Sequence, residues 1–183
     1  MSLGPGLFVA IVGPSGAGKD SLIRALAKRY PAGEIIVVKR AVTRAADAHE
    51  DHDAMDLAAF DRTERAGGFA LAWGAHGLRY GLPASIDADI GAGRLVVANL
   101  SRGAVAAARA RWPRVFAALV TASPETLAAR LTARGREDAA ARRGRLERVL
   151  APETQLVADA TIANDGDLAE AAERLYDLVR SHA

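Results

Sequence analysis

Seven residues, Gly13-Pro14-Ser15-Gly16-Ala17-Gly18-Lys19, constrain this chain more than any other stretch because of what stands on either side of them. Before them, Leu7-Phe8-Val9-Ala10-Ile11-Val12 is an unbroken apolar run, as expected of a strand buried on both faces. After them, Ser21 to Tyr30 carries Leu22, Ile23, Leu26 and Ala27 as the stripe of an amphipathic helix. A glycine-rich turn in that setting lets backbone N–H groups converge on an anion, and the positive end of the helix strengthens the attraction. The pattern predicts a phosphate-binding loop: Gly13, Pro14, Ser15, Gly16, Ala17 and Gly18 cradle the phosphates of ATP, and Lys19 reaches the bridging and terminal oxygens. The bland alternative is a glycine-rich turn ahead of a helix.

The rest of the chain repeats the same rhythm. Short apolar runs at Ile35 to Val38, Leu95 to Ala98, Val115 to Val120 and near Ala160 to Ala163 alternate with helical segments at Arg102 to Arg111, Ser123 to Thr132 and Asp167 to Arg180. Alternation of this kind predicts an α/β fold of three layers, a parallel central sheet wrapped by helices. Ser123-Pro124-Glu125 is a good helix start, with Ser as cap and Pro in the first turn. Between residues 39 and 93 the sequence turns rich in charge, Gly and His, with a helical signal only around Met55 to Ala66. That predicts a substrate-binding subdomain inserted into a core of about residues 7–38 and 94–183, all within a single domain of 183 residues.

Composition closes off several chemistries. Cysteine is absent, which excludes a disulfide scaffold, a zinc ribbon and a thiol nucleophile. Basic side chains number 24 against 22 acidic, and all but Lys19, Lys28 and Lys39 of the basic set are Arg. An Arg-rich, nearly neutral protein suits a small phosphorylated ligand better than a nucleic-acid backbone. No apolar run approaches the roughly 20 residues that span a bilayer, and Met1 to Gly6 lacks the pattern of a signal peptide, so a cytoplasmic protein without membrane partners is expected.

The position after Lys19 departs from the usual Ser or Thr, whose hydroxyl would bind Mg²⁺; here it is Asp20, followed by Ser21. A carboxylate is a hard, charged oxygen ligand, so Asp20 is a candidate for the metal ion. It also suits a helix start through its charge alone. The second acid of such sites usually follows a core strand, but the end of Leu95 to Ala98 reads Asn99-Leu100-Ser101-Arg102, with no acid. Asp20 is therefore expected to stand in for it. His49-Glu50-Asp51-His52 pairs two His with acids between them, without a further ligand set to complete a metal site.

Taken together, Gly13 to Leu22 with its Gly-Lys-Asp-Ser sequence, Val42-Thr43-Arg44, Trp73 to Gly81, Asn99 to Arg102, Arg134-Gly135-Arg136-Glu137 and Asn164-Asp165-Gly166 resemble the guanylate-kinase-like branch of P-loop kinases. Within it they look most like the ribose 1,5-bisphosphate phosphokinases, the PhnN family of phosphonate breakdown, over almost the whole chain. The resemblance implies transfer of the ATP γ-phosphoryl group to ribose 1,5-bisphosphate, giving 5-phosphoribosyl 1-diphosphate and ADP. In guanylate kinase a Thr-Arg pair is followed by a second Arg and a Glu; here Thr43-Arg44 is kept, the second Arg position is Asp47, and the Glu corresponds to Glu50. The Glu that reads the guanine edge aligns with Leu71, so the base has lost its reader, at a cost of roughly 1–3 kcal/mol per unpaired polar group.

A 1-phosphate oxygen is already anionic at neutral pH, so the reaction needs positioning and charge neutralisation rather than a base. Arg44, Arg79 and Tyr80 are the candidates for holding substrate phosphates, Arg102 for the γ-phosphate region, and His76 for a phosphate or ribose hydroxyl. Arg134 and Arg145 fall in and around a lid-like segment, about residues 134–145, whose closure would bring Arg onto the transferring group. Asn164 borders the adenine by resemblance, and reads equally as a cap for the last helix. Two rival functions stay open at this point, a guanylate-kinase-type nucleoside monophosphate kinase and a non-catalytic binding module of the same shape.

Overall fold

The computed structural model describes residues 5–45, 52–133 and 158–183. Its spine is β1 (Phe8–Val12), every residue of which is buried, followed by the glycine-rich loop and α1 (Lys19–Ala27). With β2 (Ile35–Val38), β7 (Leu95–Asn99), β8 (Val115–Thr121) and β9 (Ala160–Ala163) it forms a five-stranded sheet in the order β2-β7-β1-β8-β9, parallel throughout. A strand flanked on both sides must be apolar on both faces, and β1 divides its residues accordingly. Val9 and Ile11 point into a cluster with Leu22, Ile23 and Leu26 of α1 and Leu175 and Val179 of α6 (Leu168–His182). Phe8, Ala10 and Val12 face the opposite cluster, with Ile86 and Ile90 of α3 (Ile86–Gly91) and Val105, Ala108 and Trp112 in and just after α4 (Val105–Arg111). Phe8 and Trp112 meet with ring centroids 4.4 Å apart. Each fully buried Leu or Ile contributes roughly 1.5–3 kcal/mol to holding the layers together.

A second sheet, in the order β4-β3-β6-β5, is built from β3 (Arg40–Val42), β4 (His52–Ala54), β5 (Phe69–Ala75) and β6 (Leu78–Pro83), with α2 (Leu57–Arg65) beside it. β5 and β6 are an antiparallel hairpin turned by His76 and Gly77, both at positive φ, the backbone that a two-residue hairpin turn of this hand requires. Leu71 and Leu82 of this hairpin enter the core cluster beneath β1, which docks the second sheet onto the first. Asp56 caps α2 by accepting a hydrogen bond from Ala59 N at 2.7 Å. No helix among the described residues is long and apolar enough to cross a membrane.

Several boundaries differ from the sequence reading. The first helix starts at Lys19 rather than Ser21, because Gly18 takes the left-handed conformation and the helix turns in directly after it. It ends at Ala27, where the bonds Arg29 N to Leu26 O and Tyr30 N to Ala27 O tighten the last turn ahead of Pro31. The segment Arg102 to Arg111 divides into a short 3-10 turn at Arg102–Ala104 and then α4. Ser123 does cap α5 (Pro124–Ala133), its Oγ accepting from Thr126 N at 3.2 Å. Four strands and α3 emerge between residues 39 and 93, where the sequence showed one helix.

Candidate active site

The site gathers where β1 ends, between its two neighbours in the sheet. Binding crevices of open parallel sheets form at such a point, outside the carboxyl ends of the strands. Gly13, Gly16 and Gly18 all take positive φ. A Cβ on Gly13 would stand 2.1 Å from Val120 O, and one on Gly18 2.4 Å from Asn164 Nδ2, so the loop lies hard against β8 on one side and Asn164 on the other. Lys19 folds back over it, donating from Nζ to Gly13 O and Pro14 O, both at 2.9 Å. The N-cap of α1 is Gly18, which makes no side-chain hydrogen bond to the first turn. Pro14, Ser15 and Ala17 belong to the same loop, with Ala17 fully buried beneath it, and Ser21 lies in the first turn of α1.

Asn164 is 2% exposed and donates from Nδ2 to Ala17 O at 2.7 Å, tying the end of β9 to the loop. Its Oδ1 is buried with no hydrogen-bond partner among the described residues, as is Nη1 of Arg130, which lies beside Gly18. The cap of α6 is Asp167, which accepts from Ala169 N, so Asn164 does not have that task. Next to it, hydrogen bonds from the Ser123 backbone N–H and hydroxyl hold the Asp165 carboxyl below the ordinary carboxylate range and join this turn to the start of α5.

Asp20 meets the end of β7. Asn99 Nδ2 donates to Asp20 Oδ1 at 2.9 Å, and Asn99 Oδ1 accepts from Arg40 Nη1 at 3.4 Å. Arg40 lies over the Tyr80 ring at 5.3 Å, and Tyr80 stacks on Trp73 with centroids 5.4 Å apart and planes 10° from parallel. Trp73 Nε1 in turn donates to Ser101 Oγ at 2.8 Å, one residue before Arg102. A closed path of contacts thus runs from the glycine-rich loop through the second sheet and back to the end of β7. Sequence reasoning named Asp20, Tyr80 and Arg102 but missed Arg40 and the bonds of Asn99, which span 79 and 59 residues.

Thr43 and Arg44 line an open cleft of about 360 Å³ with Ala45, Ala54, Met55 and Asp56. Thr43 Oγ1 accepts from Arg79 N at 2.8 Å, which fixes the cleft wall to β6. The guanidinium of Arg79 is taken up on α2: Nη2 donates to both carboxylate oxygens of Glu64, at 2.9 and 2.7 Å, and the group lies 4.9 Å from the Phe60 ring centroid. Holding a phosphate there would require it to leave Glu64. His76 sits exposed at the hairpin tip. His52 is buried in β4, with Nε2 3.3 Å from Ala45 O. Arg134 and Arg145, Asp47, and His49 to Asp51 lie outside the described residues. Among those described, no group of three or more His, Asp or Glu is arranged to hold a metal ion.

Asp20, Ser21 and the amides at the start of α1 fit a magnesium–triphosphate complex in kind: hard oxygen donors stand beside a row of N–H donors, at a helix end suited to negative charge. Leu71 is buried and packed among apolar neighbours, so position 71 offers nothing to a polar base edge.

A family model described as "ABC transporter" matches residues 1–63, the stretch that holds the strand, loop and first helix. The chain is 46% identical over 179 residues to "Ribose 1,5-bisphosphate phosphokinase PhnN" of Methylobacterium radiotolerans, covering 97% of this chain and 99% of that protein. It is 48% identical over 161 residues to the protein of the same name from Acidiphilium cryptum, covering 87% and 84%. Among solved structures, guanylate kinase from Anaplasma phagocytophilum superposes with a TM-score of 0.67 at 20% identity, covering 99% of this chain and 88% of that one, a likeness of fold.

Proposed function

The chain belongs to the ribose 1,5-bisphosphate phosphokinase family, and from that premise we propose how its residues divide the work of moving a γ-phosphoryl group from ATP to that acceptor. The protein is a kinase with a P-loop fold that binds ATP and phosphorylates ribose 1,5-bisphosphate to 5-phosphoribosyl 1-diphosphate, releasing ADP. The backbone amides of Gly16 to Lys19 receive the phosphates, and Lys19 exchanges its bonds to Gly13 O and Pro14 O for phosphate oxygens. When bound, Mg²⁺ supplies charge neutralisation on the β- and γ-phosphate oxygens, and Asp20 is the residue that would hold it.

In the acceptor half, Thr43 and Arg44 hold one phosphate of the sugar in the cleft they line, and Arg102, beside the end of β7, neutralises charge near the transferring group. Tyr80 and Trp73 form the wall that orients the sugar. His76 and Arg79 are assigned the outer rim, with Arg79 engaging substrate only by exchanging Glu64 for a phosphate. Asn164 borders the nucleotide through its buried carbonyl oxygen. The acceptor oxygen carries its own negative charge, so these residues align and neutralise, and none is asked to remove a proton.

Position 71 carries the choice of acceptor. In the resemblance to guanylate kinase this is where a Glu reads the base, and here a buried Leu takes its place. Purified protein with Mg²⁺·ATP and a panel of ribose 1,5-bisphosphate, GMP and ribose 5-phosphate, followed by phosphorus NMR, tests the reading. A diphosphate on C1 of the sugar is expected. Rapid conversion of GMP with an inert sugar bisphosphate overturns it.

A further inference from the structure

Asn99 stands where a carboxylate is the usual residue, at the end of the core strand beside the phosphate loop, with its backbone in register with Ile11. It is 8% exposed and bonded on both sides of its amide, to Asp20 through Nδ2 at 2.9 Å and to Arg40 through Oδ1 at 3.4 Å. An amide has one donating and one accepting end. Turned over, it would set an oxygen against the Asp20 carboxylate and an NH₂ against a guanidinium, and both contacts would repel. Arg40 therefore fixes which way Asn99 points, and Asn99 fixes Asp20. An acid at position 99 would place two carboxylates within hydrogen-bond distance, a pair that cannot both ionise freely.

We infer that Asn99 is a positioning residue for the metal site: its amide, oriented by Arg40, holds one carboxylate oxygen of Asp20 and so sets the direction in which the other is presented to Mg²⁺. The acid stands at the helix start, where Ser or Thr is usual, and an amide stands at the strand end, where an acid is usual. Arg40 reaches this pair from the second sheet, against Tyr80, so the alignment of Asp20 depends on the sheet that forms the acceptor's wall. The inference rests on the reading of Asp20 as the residue that holds the metal, and the experiment separates the two.

ATP is titrated calorimetrically into the full-length protein and into Asn99→Ala, Asn99→Asp and Asp20→Ala, each in EDTA and across a Mg²⁺ series. Unfolding curves accompany each variant. In EDTA, Asn99→Ala is expected to keep the wild-type ATP affinity within about twofold, while the Mg²⁺ concentration that half-maximally tightens ATP rises about tenfold, the usual scale for an outer partner of a metal ligand. Asn99→Asp keeps the shape of the side chain and reverses its hydrogen bonding, so it should lose at least as much. An unchanged Mg²⁺ requirement in both single Asn99 variants, or a loss of ATP affinity in EDTA as large as the loss in Mg²⁺, overturns the positioning role. If Asp20→Ala also responds to Mg²⁺ as the wild type does, the metal assignment of Asp20 falls first.

Discussion

In the proposed division of the reaction, Asp20 serves the nucleotide half and Arg44 the acceptor half. Asp20→Ala removes the one carboxylate at the start of α1 and is expected to lower turnover on the order of a hundredfold or more at millimolar Mg²⁺; steady-state rates across a Mg²⁺ series check this, and near-normal activity at low Mg²⁺ would refute it. Arg44 lines the cleft proposed for the acceptor, so Arg44→Ala should raise KM for ribose 1,5-bisphosphate about tenfold while kcat changes about threefold or less, the loss of one charge-assisted hydrogen bond. An unchanged KM removes Arg44 from the substrate site. Gly13→Ala is a third residue-scale case, acting on the fold. Its Cβ would meet the backbone carbonyl of Val120 rather than a yielding side chain, at a φ of 143° that L-residues avoid, so a loss of roughly 2–3 kcal/mol is expected in denaturant unfolding.

Among the elements, α3 and the end of α4 are joined by Asp87, whose carboxylate accepts from the guanidinium of Arg111 and from Trp112 Nε1 at 2.8 Å. The bond from Arg111, helped by that from Trp112 and opposed by partial burial, holds the Asp87 carboxyl below the ordinary carboxylate range. A lowered carboxyl pKa stabilises the fold above the unfolded-state value, and that contribution is lost as pH falls through the lowered one. Asp87→Asn should therefore cost about 0.5 kcal/mol at neutral pH, since solvent screens this partly exposed pair, with the gap to wild type closing in acid; denaturant midpoints at neutral and acid pH check the sign. The elements also show what a sequence makes legible. β1, β7 and β8 stood out because a strand flanked on both sides must be a nearly continuous apolar run, and the edge strands β2 and β9, only partly buried, were legible because they too are short apolar runs. β3 and β4 are three residues each and include Arg40, His52 and Asp53, so they carry no periodicity at all. In β5 and β6, Gly74 and Gly81 interrupt the alternation, and Gly81 is required because the Phe69 ring covers it within 2.6 Å of where a Cβ would stand. The phosphate loop was legible because it is contiguous. Asn164 was named without its task, since its bond to Ala17 crosses 147 residues.

For the whole molecule, the connection between the two sheets is the point of leverage. The second sheet is anchored beneath β1 through Leu71 and Leu82, and above that anchor the polar link from Trp73 to Ser101 joins it to the end of β7. Trp73→Phe keeps the stack on Tyr80 and deletes that link, so KM for the sugar bisphosphate should rise roughly three- to tenfold with ATP affinity unchanged, a split visible in steady-state kinetics set beside calorimetry. Equal weakening toward both substrates would mean that the link supports the core instead. The chain has two Trp residues, and they differ in kind: Trp112 is packed against Phe8, whereas Trp73 is half-buried at the seam between the sheets. Replacing Trp112 with Phe leaves a single indole in the wall proposed for the acceptor, so its fluorescence should become a label-free optical gauge of acceptor arrival, readable in a stopped-flow instrument before any phosphoryl group has moved.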